Sequence, residues 1–258
     1  MFIYCPPKKL EDLKSETLEN GRFYVTPDGK RLPSVTTVLG AMGKKAIYEW
    51  RQRVGAEEAN RISRIASGRG TRMHTLCEKY LNNQDIGKPM PDALELFRKV
   101  KPYLNKINNI HYQECALWST KLGMAGRVDC IAEYDGVLSV IDFKTSSRVK
   151  TAEDIPAYFA QCTAYALMYE ELIGVRIDQI VVIMAVQEDS PIIFVEPMRK
   201  HINTLLEYIK LKELQENLAK DLVKCEAREG ITLTEENLEK ISDAYSKVYD
   251  IITEIKSL

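Results

Sequence analysis

The stretch GRVDCIAEYDGVLSVIDFKTS, residues 126–146, constrains the fold more than any other part of the chain. Asp135 and Gly136 at its centre favour positive φ, the geometry of a two-residue type I′ loop. Both flanks are β-prone: Val128, Ile131 and Tyr134 before, Val137, Val140, Ile141 and Phe143 after. In a hairpin closed there, Tyr134 faces Val137, Ile131 faces Val140, Asp129 faces Asp142 and Arg127 faces Lys144. Directly opposed Cβ atoms lie roughly 5 Å apart, and two carboxylates so placed repel unless a cation sits with them. Lys144 is two residues past Asp142 and shares its face by the strand period of two. Asp129, Asp142 and Lys144 thus form one patch. Val128, Cys130, Ala132, Ser139, Ile141 and Phe143 form the other face, fit to be buried under a helix. The alternative is a surface hairpin with two solvated acids and an unrelated lysine, and a one-residue shift of the loop would also separate the acids.

A chain of 258 residues buries a sizeable core, which points to one enlarged α/β domain or a core with helical additions. Because 36 Lys plus Arg balance 37 Asp plus Glu, a polyanion must meet a local basic patch instead of a globally positive body. The six cysteines (Cys5, Cys77, Cys115, Cys130, Cys162, Cys225) show no zinc-like spacing and read as reduced core thiols. No hydrophobic leader opens the sequence and no run approaches the roughly 20 apolar residues that cross a bilayer, so a cytoplasmic protein with no membrane partner is expected.

Along the chain, residues 22–39 predict a short hairpin turning at Pro27-Asp28-Gly29, then Pro33 and a strand or helix start rich in hydroxyls. Ser34, Thr36 and Thr37 either donate to phosphate or, the better reading of the residues alone, cap a helix. Residues 46–66 have helical periodicity, with Ile47, Trp50, Val54, Ile62 and Ile65 between Arg51, Arg53, Arg61 and Arg64. The basic side is either a solvated face or a wall that guides DNA. Gly68 and Gly70 predict a tight loop, with Thr71 as N-cap of a helix that carries His74 and Glu78 four apart on one face. His74 is structural or, given an acidic hairpin that needs a cation, a metal ligand. Residues 85–92 read as a loop, 93–107 as an amphipathic helix and 111–119 as a strand. Glu114 in that strand is a third acid of the site or half of a salt bridge. Pro156 opens a helix to about 173 that bears Gln161 and Tyr165 on one face. The apolar run 179–186 suits a central strand, and 191–198 returns beside it. From 199 the chain is helical. Leu238, Ile241, Tyr245, Val248, Ile252 and Ile255 form a heptad seam after a capping box at Thr232 and Glu235. A helical hairpin with 202–222, through Leu206, Ile209, Leu214 and Leu218, is favoured over a dimer contact, with the turn at Glu229-Gly230.

The ordered set His74, Asp129, Asp142-Phe143-Lys144, Gln161 and Tyr165 resembles the RecB-type branch of the PD-(D/E)xK nuclease superfamily. LPSVTTVL, the tryptophan helix, RGTRMH and residues 126–146 are similar to the group formed by the mitochondrial genome maintenance exonuclease and its bacterial and phage relatives, over roughly residues 22–210. The resemblance implies a restriction-endonuclease-like α/β core, a central mixed sheet flanked by helices, with an N-terminal helical region and a C-terminal helical hairpin. The divisions are 1–66 for the N-terminal DNA-guiding region, 67–198 for the nuclease core and 199–258 for the C-terminal helices. It further implies hydrolysis of DNA phosphodiesters with Mg²⁺ or Mn²⁺, as an exonuclease on single-stranded ends, or as an endonuclease or non-catalytic end binder in the alternative. The implied ligands are Asp129, Asp142, the Phe143 carbonyl, His74 and Glu114, with Lys144 on the attacking water. Gln161 and Tyr165 brace the site and join Ser34, Thr36, Arg69, Arg72, Thr145 and Ser146 on the DNA. Some relatives hold an iron–sulfur cluster on four cysteines; here only Cys225 follows Cys162, so no cluster is expected. The absence of a mitochondrial presequence suits a bacterial or phage setting, a monomer is favoured, and the tail beyond about 215 has no counterpart in the resemblance.

Overall fold

The computed structural model of the chain describes residues 1–40 and 43–229, with every side chain in them except those of 44, 45 and 218–229. In chain order, β1 (Lys14–Leu18), β2 (Gly21–Val25) and β3 (Arg31–Pro33) form a small antiparallel sheet. Its second turn lies where Pro27-Asp28-Gly29 predicted it, with the Thr26 carbonyl accepting from the Gly29 N–H at 2.9 Å. Four helices follow: α1 (Val35–Leu39), α2 (Lys44–Val54), α3 (Ala56–Leu81) and α4 (Pro91–Leu104). The central sheet then forms from β4 (Ile107–Ser119), β5 (Met124–Tyr134), β6 (Val137–Ser146), β7 (Gln179–Val186) and β8 (Ile192–Pro197), which lie side by side in that order. Only β6 and β7 run parallel, and a parallel pair needs a crossover; α5 (Pro156–Ile173) supplies it, opened by Pro156 at the position where a missing N–H does no harm.

Both faces of the sheet are covered, which is why β7 is apolar at every position after Gln179. On one face Ile131, Val140, Val182 and Met184 pack with Phe159, Cys162, Tyr165 and Tyr169 of α5. On the other, Cys130, Ile141, Phe143, Val181 and Ile183 pack with Met73 and Cys77 of α3 and Phe97 and Val100 of α4.

Two glycines expected to break a helix do not. α3 runs through Gly68 and Gly70, and the chain instead turns at Gly55, where φ is +85°. Thr71 is no cap; its hydroxyl donates to the Ser67 carbonyl one turn back. Gly70 faces β6, and a Cβ there would stand 3.4 Å from Thr145 Oγ1, an ordinary contact. The division drawn at 66/67 therefore lies inside α3. The apolar stripe expected along 46–66 is also not covered among the described residues, since Ile47, Ile62 and Ile65 remain exposed. Cys5 is exposed as well, because residues 3–5 lie along the edge of β4, with the Cys5 N–H donating to the Ile110 carbonyl.

The central hairpin has the expected turn, with φ of +50° at Asp135 and +81° at Gly136. Its ladder pairs Tyr134 with Val137, Ile131 with Val140 and Cys130 with Ile141, and there it stops. β6 continues beside β7 as far as Ser146 and Val186, whereas β5 stays with β4, so the two arms part just before Asp129 and Asp142. Arg127 consequently does not face Lys144 but is in register with Ala116 of β4. Val128 leaves the face of Cys130 and packs on the α5 side.

Met1–Lys212 form one compact unit and Glu213–Leu258 a second. α6 (Ile202–Glu229) begins in the first, after a short 3₁₀ turn over Met198–His201. The heptad seam from Leu238 to Ile255, the Thr232–Glu235 cap and the turn after Glu229 lie outside the described residues. Among the described residues no helix is long and apolar enough to cross a membrane.

Candidate active site

The fork between β5 and β6 leaves backbone groups without ladder partners, and side chains take over. Asp129 Oδ2 accepts the Phe143 N–H at 2.9 Å. His74 reaches the same oxygen from α3, its Nδ1 3.4 Å away, and its ring meets Phe143 edge-on with centroids 6.2 Å apart. Glu114 comes from β4, where Gln113 pairs with Cys130 and Cys115 with Val128, so that Glu114 lies alongside Asp129. Its φ of +44° is uncommon for any residue but Gly, Asn or Asp and costs roughly 1–2 kcal/mol, a strain that local contacts must hold. Arg127 supplies one such contact by donating to the Glu114 carbonyl, while its other amine pairs with Asp12 at 2.5 Å. One ligand atom each from His74, Glu114 and Asp129 then lie within 4.8 Å of one another. Burial, with Asp129 and Glu78 adding their charge, pushes the Glu114 carboxyl up to about 7.

Asp142, on the other arm of the fork, is 2% exposed. Lys144 Nζ lies 2.6 Å from its Oδ1 and 2.5 Å from its Oδ2, but only the Oδ1 contact has hydrogen-bond geometry, and Oδ2 is buried without a hydrogen bond. Burial raises the Asp142 carboxyl above the ordinary range; the Lys144 ammonium opposes this and the Asp129 charge adds to it. For Lys144 burial works downward, yet the Asp142 and Asp129 carboxylates outweigh it and hold the ammonium charged.

From α5, Gln161 and Tyr165 face the fork. Tyr165 is buried over Gly126, where a Cβ would stand 2.6 Å from its hydroxyl. Its hydroxyl is held protonated far above the ordinary tyrosine range by burial and by the Asp129 and Asp142 charges, against a hydrogen bond with Gln161.

A cleft of about 590 Å³ brings together Thr36, His74, Glu114, Asp129, Lys144, Gln161 and Tyr165. Ser34 lines its wall but is buried and caps α1, accepting the Thr37 N–H at 3.0 Å and contacting the Thr36 hydroxyl at 3.0 Å. Arg69, Arg72, Thr145 and Ser146 lie outside the cleft lining. Arg69 is buried, Arg72 pairs with Asp92 of α4 at 2.5 Å, Thr145 stands beside Gly70, and Ser146 donates to the Arg148 carbonyl at 2.6 Å. Arg22, Tyr24, Glu78 and Arg127 also line the cleft. Of these Glu78 carried a signal in its four-residue spacing from His74, and Arg127 one in the hairpin register that set it opposite Lys144.

One imidazole and two carboxylates, a buried Asp142 oxygen that has only the Lys144 ammonium beside it, and a Glu114 carboxyl raised by burial and then by the Asp129 and Glu78 charges are what a hard divalent cation relieves, so the residues fit such an ion.

Comparisons with known proteins agree. The chain is similar to mitochondrial genome maintenance exonuclease 1 of Homo sapiens, 31% identical over 130 residues that make up 46% of this chain and 38% of that protein. It is equally similar to the Xenopus tropicalis protein of that name, 31% identical over 129 residues, 46% of this chain and 37% of the other. The matches thus span well under half the length of these curated relatives. A candidate exonuclease structure from Eubacterium rectale overlays with a TM-score of 0.38 at 11% identity, covering 57% of this chain and 67% of the other, an overlap that carries no argument. Residues 94–256 match the description of the PD-(D/E)XK nuclease superfamily. The mixed five-stranded sheet between helices is the restriction-endonuclease-like core that this match entails, and the chain belongs to the PD-(D/E)XK nuclease superfamily.

Proposed function

We propose that the chain is a deoxyribonuclease that needs a divalent cation and acts as an exonuclease on single-stranded DNA ends. The observation that carries this reading is the fork, where one ligand atom each of His74, Glu114 and Asp129 lie within 4.8 Å of one another beside the buried Asp142–Lys144 pair. Mg²⁺ or Mn²⁺ would be held by His74, Glu114 and Asp129, with Asp142 through its unbonded Oδ2. The Phe143 carbonyl completes the set, since it leaves the strand on the same side as the N–H that meets Asp129. Bound there, the cation supplies positive charge to the phosphate and makes water a stronger acid.

The chain's own residues do the rest. The Asp142 and Asp129 carboxylates hold Lys144 charged while no cation is bound; a cation on those carboxylates weakens that hold and lets Lys144 orient the attacking water or take its proton. Lys144 also offsets the negative charge that grows on the phosphorane as the water oxygen bonds to phosphorus and the leaving oxygen departs. Tyr165, kept protonated, and Gln161 donate toward the strand, and Thr36 on the rim contacts its backbone, with Ser34 fixing Thr36 from below. Arg69, Arg72, Thr145 and Ser146 are given no DNA contact in this reading, because they stand outside the cleft lining. All the catalytic positions, from His74 to Tyr165, fall within 67–198. The exonuclease part is carried over from relatives so named, and the single-strand preference from the family resemblance.

The test is digestion of linear strands labelled at either end, and of a closed circular strand, with Mg²⁺ or EDTA. Wild type should shorten linear strands from an end only with the cation and leave the circle intact. Equal degradation by Lys144→Ala rejects the lysine's role. Opening of the circle makes the protein an endonuclease of the same superfamily, and retention of strands without cleavage makes it an end binder.

A further inference from the structure

We propose that Tyr158 is a positioning residue for Lys144, and that Lys150 holds its ring in place. α5 presents Tyr158, Gln161, Cys162 and Tyr165 at spacings of three, four and seven, hence on one face, and Tyr158 stands one turn before Gln161. Lys144 Nζ lies 5.1 Å from the centroid of the Tyr158 ring. Lys150 Nζ lies 5.2 Å from the same centroid and 3.4 Å from the Tyr158 hydroxyl, to which it donates. The ammonium of Lys144 therefore has two neighbours of negative potential, the Asp142 carboxylate and the π-face of Tyr158.

A lysine ends in a freely turning ammonium on a flexible stem, so one carboxylate contact leaves its remaining N–H groups unfixed. An aromatic face on a second side restricts where they point. Nζ lies 2.6 Å from Asp142 Oδ1 and 2.5 Å from Oδ2, so the ammonium meets both carboxylate oxygens as well as the ring. The ring thus bounds the ammonium on a second side, beside the carboxylate. Lys150, half-buried and bonded to the ring hydroxyl, fixes the tilt of the ring. The inference rests on the nuclease reading for what Lys144 does, but not for the contact itself.

Two measurements decide it. In steady-state digestion of a labelled single strand with Mg²⁺, Tyr158→Leu should lower kcat about tenfold and leave KM within about twofold, since a partly desolvated cation–π contact is lost and no substrate contact is. Tyr158→Phe, which keeps the π-face, should stay within about threefold of wild type. Loss of kcat equal in the two variants, or none in Tyr158→Leu, overturns the proposal. The second measurement needs no activity: in lysine-labelled protein free of cation, the Lys144 Cε protons, assigned with Lys144→Arg, should be shifted upfield by the ring current in wild type and Tyr158→Phe. Lys144 protons at the ordinary lysine position in wild type overturn the proposal, even if Tyr158→Leu does not fold. A wild type that cleaves no strand ends the nuclease reading, and the ring-current shift then decides the contact alone.

Discussion

Gly126 is the position where the site's geometry can be tested most directly without touching a charged residue. Its Cα passes so close under Tyr165 that an added Cβ would meet the hydroxyl at 2.6 Å, Cε1 at 3.0 Å and Cζ at 3.2 Å. An ordinary carbon–oxygen contact is about 3.4 Å, so Gly126→Ala must push the hydroxyl away by roughly 0.8 Å. The ring is rigid and lies in the core between α5 and β5, so the displacement has to be taken up by the α5 backbone or by an off-rotamer tyrosine. Overpacking of this kind costs about 1–3 kcal/mol. Tyr165→Phe removes the shortest of the three contacts and leaves the two to ring carbon, and by itself costs about 1 kcal/mol through the lost hydroxyl interaction with Gln161. In urea unfolding of the four proteins of this cycle, Gly126→Ala should therefore cost no more than about half as much in the Tyr165→Phe background as in wild type. Equal costs in both backgrounds would show that the glycine does not make room for the hydroxyl. A neutral Gly126→Ala in wild type would refute the close approach altogether.

Two further outcomes follow from other parts of the molecule. Titration with Mg²⁺ or Mn²⁺ should raise the melting midpoint, by about 2.7 kcal/mol of stabilisation at a hundredfold excess over the dissociation constant, and Asp129→Asn should abolish the rise; an equal rise in both proteins would remove the fork as the binding site. His201 stacks on Phe159 with centroids 4.4 Å apart, and its Nε2 lies 3.8 Å from Glu196, itself bonded to Lys200. Burial lowers its pKa, with the Glu196 charge opposing and Lys200 assisting. A depressed histidine contributes stability that is complete above its unfolded value of about 6.5 and is lost as pH falls through the folded value. Urea midpoints should thus drop below pH 6.5 in wild type and drop less in His201→Gln, and parallel pH profiles of the two proteins would exclude the histidine.

The turn at Asp135-Gly136 and the register up to Cys130 and Ile141 were legible because turn chemistry and strand period are local properties. The helix break at Gly55 was not, although glycine is a local signal too. The same residue serves a turn at Gly55, where φ is +85°, and an unbroken helix at Gly70. The left-handed backbone of Glu114 left no trace at all, since a glutamate in a strand pattern reads as a strand. The Arg127 contact that meets its carbonyl comes from a strand that follows it in the chain. Gln161 and Tyr165 were found through family resemblance and not through chemistry, because neither type is diagnostic on a helix.

The fork shows why pairing arithmetic leads to the site and then stops there. Had the ladder continued two pairs further, to Val128 and Phe143, β5 would satisfy the backbone of β6 by itself, and the Phe143 N–H would have no need of a side chain. By parting at Cys130 and Ile141 the strands leave that N–H to the Asp129 carboxylate, which fixes the carboxylate in place. They also open the gap through which His74 enters from the α3 side and Gln161 and Tyr165 from the α5 side. The two acids are brought near each other by a hairpin and made usable by its ending.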